Sequence, residues 1–197
     1  MNKNRIRYCQ RDFHLAEIEE QQLDWNLEKY GCGPTSIANI LINYGYSFNP
    51  VDIAKKILFD REGKFDPTYL RNKGIHPEGL IYCLKRLIIE DKLNISYWII
   101  HIDFSHPDKQ KNQIIKWVKE GNMAIIHVGP SEGSPLTFFQ HGHYLVVSDV
   151  DDEENLYVIN SNEIGDNQLG VPFRFSLVID NMLGRKDSFQ FLFIKNN

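Results

Sequence analysis

The stretch Tyr30-Gly31-Cys32-Gly33-Pro34-Thr35-Ser36-Ile37-Ala38-Asn39-Ile40-Leu41 places a cysteine between two glycines at the opening of an apolar segment. Pro34 suits the first turn of a helix, because its φ is already helical and its missing N–H has no intrahelical partner there. Ile37, Ile40, Leu41 and Tyr44 recur at helical spacing, and Gly45 supplies a stop. The spacing therefore predicts a helix that starts near Cys32. A sulfur at that position meets unpaired backbone N–H groups and the positive end of the helix dipole. Both favour thiolate, so a pKa below the free-cysteine value of about 8.5 is expected. Gly31 and Gly33 are expected to leave the backbone uncovered for the close approach of a carbonyl group. An isolated cysteine is more often a passive core residue. The flanking glycines and the helix start point instead to a nucleophile.

The chain has 197 residues, room for a substantial core, and reads as a single domain spanning 1–197. A formal net charge of −4 offers no broad basic field, which argues against nucleic acid or an anionic membrane as the main partner. A peptide, protein or small-molecule partner is expected. Cys9, Cys32 and Cys83 are too few and too scattered for a disulfide framework, and no CxxC or Cys/His spacing suggests zinc. The amino terminus is basic, but no apolar run follows it and no segment reaches the length of a membrane span. A cytoplasmic protein with reduced thiols is the expectation.

Residues 5–14 read as an extended entry and 17–22 as a charged, solvated segment. Asn49-Pro50 caps a helix running to Leu58, and 60–75 carry turn formers with little periodicity, so an exposed loop is expected there. His76-Pro77-Glu78 opens a helix whose Leu80, Ile81, Leu84, Leu87 and Ile88 share a face, with Cys83 beside it in a passive core role. Ile95–Ile102 reads as a strand, Gln110–Lys119 as an amphipathic helix. Met123–Val128, Tyr144–Val150 and Leu156–Asn160 read as strands, with 129–140 a loop and Asp151-Asp152-Glu153-Glu154-Asn155 an acidic hairpin turn. A short helix over Phe175–Met182 and a closing strand over Phe189–Ile194 complete the chain. Helices dominate the first half and strands the second, the order of an α+β fold rather than an alternating α/β one.

A thiol nucleophile needs a base to take and return its proton, and a third group to fix the imidazole tautomer. His143 opens one strand of the predicted hairpin and Asn160 ends the other. An antiparallel pair brings those two ends together. His141 competes with His143 but lies farther from the hairpin. Asn162 and Asp149 compete with Asn160, Asp149 being displaced along its own strand. His14, His76, His101, His106 and His127 read as surface, cap or satisfied core groups. The His141-Gly142-His143 pair has no third ligand at a metal-like interval, so neither metal nor cofactor is expected.

Gly31-Cys32-Gly33-Pro34-Thr35-Ser36, Gly142-His143-Tyr144-Leu145-Val146-Val147 and Tyr157-Val158-Ile159-Asn160, in that order, resemble the papain-like cysteine peptidases of the bacteriocin-processing type. These enzymes remove double-glycine leaders when fused to export transporters, and they have stand-alone relatives. The resemblance runs from Tyr8 to Asn162. It implies a papain-like fold, with N-terminal helices packed on a C-terminal antiparallel sheet. It also implies a Cys32-His143-Asn160 triad that needs no cofactor. The family's third residue is usually an aspartate followed by proline. Here Asn160-Ser161 stands in those places and the orienting group is neutral. The family's oxyanion-stabilising group is a glutamine in a Gln-x-Asp pattern upstream of the cysteine, which Gln10-Arg11-Asp12 matches. Asn26, six residues before Cys32, and Gln21 and Gln22 are the alternatives.

The reading that follows is a cysteine peptidase cleaving a peptide or isopeptide bond. Two alternatives differ in chemistry or class. One keeps the triad but changes the acceptor, giving a transglutaminase, deamidase or acyltransferase, including a toxin or effector. The other is an inactive papain-fold binding module, against which the intact Cys32 and His143 argue.

Overall fold

The chain is described by a computed structural model over residues 6–13, 25, 27–72, 74–129, 142–161, 171–183 and 188–197. A short helix α1 (Leu27–Tyr30) leads directly into α2 (Cys32–Asn43). Gly31 joins them without breaking the hydrogen-bond chain: its N–H donates to the Leu27 carbonyl at 2.8 Å, and its own carbonyl accepts from the Thr35 N–H at 2.9 Å. The helix stops at Asn43, just before Gly45, whose φ of +87° is left-handed. Helix α3 (Pro50–Leu58) carries the predicted cap in full. Asn49 Oδ1 accepts from the N–H groups of Val51 and Asp52, while Asp52 Oδ2 accepts from the Asn49 N–H.

Residues 60–75, expected as an exposed loop, are more ordered than that. Pro67–Tyr69 form a 3-10 turn under an Asp66 cap, and β1 (Leu70–Arg71) pairs with β2 (Gly74–Ile75) around Asn72, which takes a φ of +48°. Two-residue strands are too short to show a period of two, so the pattern there is silent. Helix α4 (Pro77–Ile89) then starts under a His76 cap, and Cys83 lies fully buried within it, pushed up to about 12 by burial. Strand β3 (Ile95–Ile100), helix α5 (Asp108–Lys119), strands β4 (Met123–Val128), β5 (His143–Val150), β6 (Leu156–Ile159) and β7 (Pro172–Phe173), helix α6 (Phe175–Met182) and strand β8 (Phe191–Asn196) follow.

Among the described residues, six of these strands form one antiparallel sheet in the order β3-β8-β4-β5-β6-β7. The alternation along its central strands divides the core in two. Met123, Ile125, Tyr144, Val146, Leu192 and Ile194 face the layer of α2, α3 and α4. Ala124, Ile126, Val128, Leu145, Val147 and Phe193 face α5 and α6. Both faces are covered, which is why these strands read as continuous apolar runs. The result is the α+β, papain-like arrangement expected from the sequence, with the first-half helices packed on an antiparallel sheet drawn mainly from the second half. No helix among the described residues is long and apolar enough to cross a membrane.

The glycines around Cys32 serve packing rather than access. A Cβ on Gly31 would press into the Leu27 carbonyl oxygen and come within 2.7 Å of Leu27 Cγ, and one on Gly33 would lie 2.9 Å from Leu80 Cδ2 and 3.3 Å from Tyr144 Cδ2. Gly31→Ala therefore forces the α1–α2 junction apart and is expected to cost about 1–3 kcal/mol, a drop of several degrees in the thermal transition. Gly74→Ala, whose Cβ meets its nearest atom at 3.6 Å, is the control. Equal transitions for the two variants would refute this account of the junction.

Candidate active site

The amino end of α2 lies against the first residues of β5, and Tyr144 makes the join. Its backbone N–H hydrogen-bonds to the Cys32 sulfur. Its carbonyl accepts from Ser36 Oγ at 3.3 Å, and its phenol donates to the Ile75 carbonyl at 3.1 Å. Cys32 thus sits beside the residue that follows His143. The sulfur is half-buried, and burial raises its pKa above the ordinary cysteine value despite hydrogen bonds from the backbone of Tyr144, Gly33 and Cys32 itself. The expected lowering by the helix start is therefore overturned. Those N–H groups do act in the expected direction, but desolvation outweighs them.

The register Val146↔Ile159, continued by one pair, sets Asn160 opposite Leu145, two residues from His143 and on the same side of the sheet. Their side chains meet: His143 Nε2 lies 2.9 Å from Asn160 Oδ1. A carboxamide oxygen only accepts, so Nε2 carries the hydrogen and Nδ1 keeps the lone pair. Both residues are buried. Burial lowers the His143 pKa to about 4, and the Asn160 hydrogen bond opposes that shift only in part. A neutral amide supplies a dipole, not a charge, so desolvation prevails and the imidazole is uncharged at neutral pH.

Gln10 is buried in the 3-10 turn Gln10–Asp12. Its Nε2 donates to the Glu28 carbonyl at 2.6 Å, its Oε1 accepts from Ser161 Oγ at 3.2 Å, and its backbone N–H donates to the Ser161 carbonyl at 2.7 Å. The Glu28 carbonyl can only accept, which fixes which end of the amide is which. Gln10 is therefore held between the turn of helix leading into Cys32 and the residue after Asn160. The alternatives Asn26, Gln21 and Gln22 lie outside the described residues, as do His141, Asn162, His14 and the loop 130–140. Asp149 is placed elsewhere on β5, opposite Tyr157. His127 stacks on the Tyr144 ring at 4.3 Å, with Nδ1 3.0 Å from Ser188 Oγ. Sequence reasoning missed the Tyr144 backbone, the Glu28 carbonyl and Ser161. The first two are main-chain groups and carry no side-chain signal, whereas Ser161 stood beside a residue already singled out. Among the described residues no group of three or more His, Cys, Asp or Glu side chains is placed to hold a metal ion.

Because the unfolded histidine titrates near 6.5 and the folded one near 4, the unfolded chain binds the extra proton between those values. The stability tied to a neutral His143 is complete above about pH 6.5 and is lost as pH falls toward 4. Between pH 7 and pH 5 the loss is on the order of 2 kcal/mol. In denaturant titrations His143→Gln should lack this component, and Asn160→Asp, whose carboxylate favours the imidazolium, should show a smaller one. An unchanged pH slope in His143→Gln would contradict the buried neutral imidazole.

Comparison with known proteins bears on the family and the fold. Residues 16–171 match the profile described as the Peptidase_C39 like family. A crystal structure described as a "putative C39-like peptidase" from Bacillus anthracis superposes with a TM-score of 0.61 at 15% identity, covering 100% of this chain and 97% of that one, which shows a shared fold. No curated protein matches. With the family profile spanning most of the sequence and the fold shared end to end, the chain belongs to the Peptidase_C39 like family.

Proposed function

We propose that this protein is a cysteine peptidase in which Cys32 attacks a peptide carbonyl, His143 moves the proton, Asn160 orients His143 and Gln10 stabilises the oxyanion. One observation carries the reading: Asn160 Oδ1 holds the His143 ring 2.9 Å away by Nε2, while the backbone N–H of the next residue, Tyr144, binds the Cys32 sulfur. The membership in a peptidase-like family supports it.

In the resting site both partners are neutral, a thiol and an imidazole with its lone pair on Nδ1. As the carbonyl arrives, the thiol proton passes to Nδ1 and the Sγ–C bond forms. The carbonyl π pair becomes the oxyanion charge. A carboxamide has two N–H bonds, and one on Gln10 is committed to the Glu28 carbonyl. In this reading the other serves the oxyanion, together with the backbone N–H of Cys32. A donor of this kind is worth roughly 10²–10³ in rate. Collapse breaks the C–N bond, and the imidazolium gives its proton to the leaving amine. Water, deprotonated by Nδ1, then attacks the thioester carbonyl, releases the acid and restores the thiol. The original thiol proton leaves on the amine and a proton from water replaces it, so the cycle consumes only peptide and water.

The test is alkylation of the native protein with iodoacetamide, followed by peptide mapping. Cys32 should react far faster than Cys9 or Cys83, both buried. Its rate should climb from about pH 6 to pH 9, because its pKa lies above the ordinary value. His143→Ala should slow hydrolysis of a peptide substrate about 10²-fold or more, and Asn160→Ala less than that. Equal alkylation of all three cysteines would refute a catalytic thiol. A rate already flat from about pH 5 would refute the neutral pair.

A further inference from the structure

The segment 6–9, which leads into the 3-10 turn at Gln10, has no neighbouring strand among the described residues, yet its backbone is hydrogen-bonded at every second residue. The Ile6 N–H donates to Asn43 Oδ1 at 3.1 Å, and Asn43 Nδ2 donates back to the Ile6 carbonyl at 2.7 Å. The Tyr8 N–H donates to Asn39 Oδ1 at 2.6 Å, and Asn39 Nδ2 returns to the Tyr8 carbonyl at 3.2 Å. Each asparagine amide thus stands in for one residue of a missing partner strand. Two residues of strand advance about 6.8 Å and four residues of helix about 6 Å. The two repeats nearly coincide. A helix with asparagines at i and i+4 can therefore address residues n and n+2 of a chain running antiparallel to it.

Continued by one step, the same spacing would fall on Thr35 and Gln10. Thr35 is fully buried, and its hydroxyl has no hydrogen-bond partner among the described residues. The helix ladder ends there, and Ser161 takes over the rung, accepting the Gln10 N–H at its carbonyl and donating to Gln10 Oε1 from its hydroxyl. Register is what this device controls. A slip of one residue along the ladder would turn every side chain to the opposite face and present Cys9 or Arg11 where Gln10 now enters.

We propose that Asn39, Asn43 and Ser161 are positioning residues for Gln10, fixing the register of segment 6–10 so that the Gln10 carboxamide reaches the carbonyl under attack. This rests on the acyl-transfer reading above. It adds to that reading a group on the far turns of α2 that touches neither substrate nor sulfur. Ser161 belongs to the same dipeptide as Asn160, so one short stretch fixes both the base and the oxyanion donor.

Two probes of Cys32 separate the parts. Acylation by p-nitrophenyl acetate passes through an oxyanion, whereas alkylation by iodoacetamide displaces iodide at a saturated carbon and does not. Ser161→Ala and Asn39→Ala should slow acylation by about tenfold or more, Asn43→Ala by several-fold, with alkylation changed less than about twofold. Ser161→Thr should restore the rate. Because Asn39 is buried and its variant is the one at risk of unfolding, Asn43→Ala serves as the second variant. In a double-mutant cycle, Gln10→Ala/Asn43→Ala should be no slower than Gln10→Ala alone. Acylation that stays at the wild-type rate, falls in step with alkylation, or shows additive losses in the cycle would overturn the positioning role while leaving the catalytic reading intact. A wild-type Cys32 inert to both probes would overturn that reading, and this one with it.

Discussion

Tyr144 fastens the helical layer to the sheet at the candidate active site. Its N–H holds the Cys32 sulfur, its carbonyl holds Ser36, its phenol holds the Ile75 carbonyl, and its ring packs against Gly33 and stacks with His127 and Phe189. Cys32 and Ser36 are one helical turn apart, so α2 is bound to the start of β5 at two successive turns. His143 and Asn160 are fixed relative to that contact by the sheet itself, through the β5–β6 register. The placements of Cys32 against Tyr144 and of His143 against Asn160 thus rest on hydrogen bonds and close packing rather than on attraction between charges.

That mode of assembly decides the electrostatics. Burial disfavours thiolate at Cys32 and imidazolium at His143 alike, and among the described groups no charge beside either is large enough to reverse this. An aspartate in place of Asn160 would favour the imidazolium, and through it the ion pair. The asparagine instead fixes the tautomer and leaves the ring neutral. Under the proposed mechanism such a pair is a poor nucleophile at rest and depends on proton transfer during attack. The proposed rate then leans on whatever stabilises the charge that appears later, the role proposed for Gln10.

Much of this was legible in the sequence. Pro34 and the apolar spacing located α2, Asn49-Pro50 and His76-Pro77 located the starts of α3 and α4, and the acidic turn between two β-branched runs paired His143 with Asn160. Each of these signals is local, or needs only one antiparallel return. What escaped was non-local. The ionisation of Cys32 depends on how deeply Tyr144 and the surrounding core enclose it, and the helix-dipole argument sees only the helix. Gly31 and Gly33 looked like openings for substrate, but they accommodate Leu27, Leu80 and Tyr144. Asn39 and Asn43 carried a readable hint, two polar residues four apart in an apolar helix. What they bind lies 31 and 37 residues away, beyond any periodicity.

The central claim is that His143 offers the lone pair of Nδ1 as a neutral base while Asn160 holds Nε2–H. Long-range proton–nitrogen NMR on ring-labelled protein reads this directly. The account predicts a His143 ring protonated at Nε2 only, unchanged from about pH 7 down to about pH 5. A ring protonated at Nδ1, or one that takes up a second proton near pH 6.5 as a free histidine does, would contradict it.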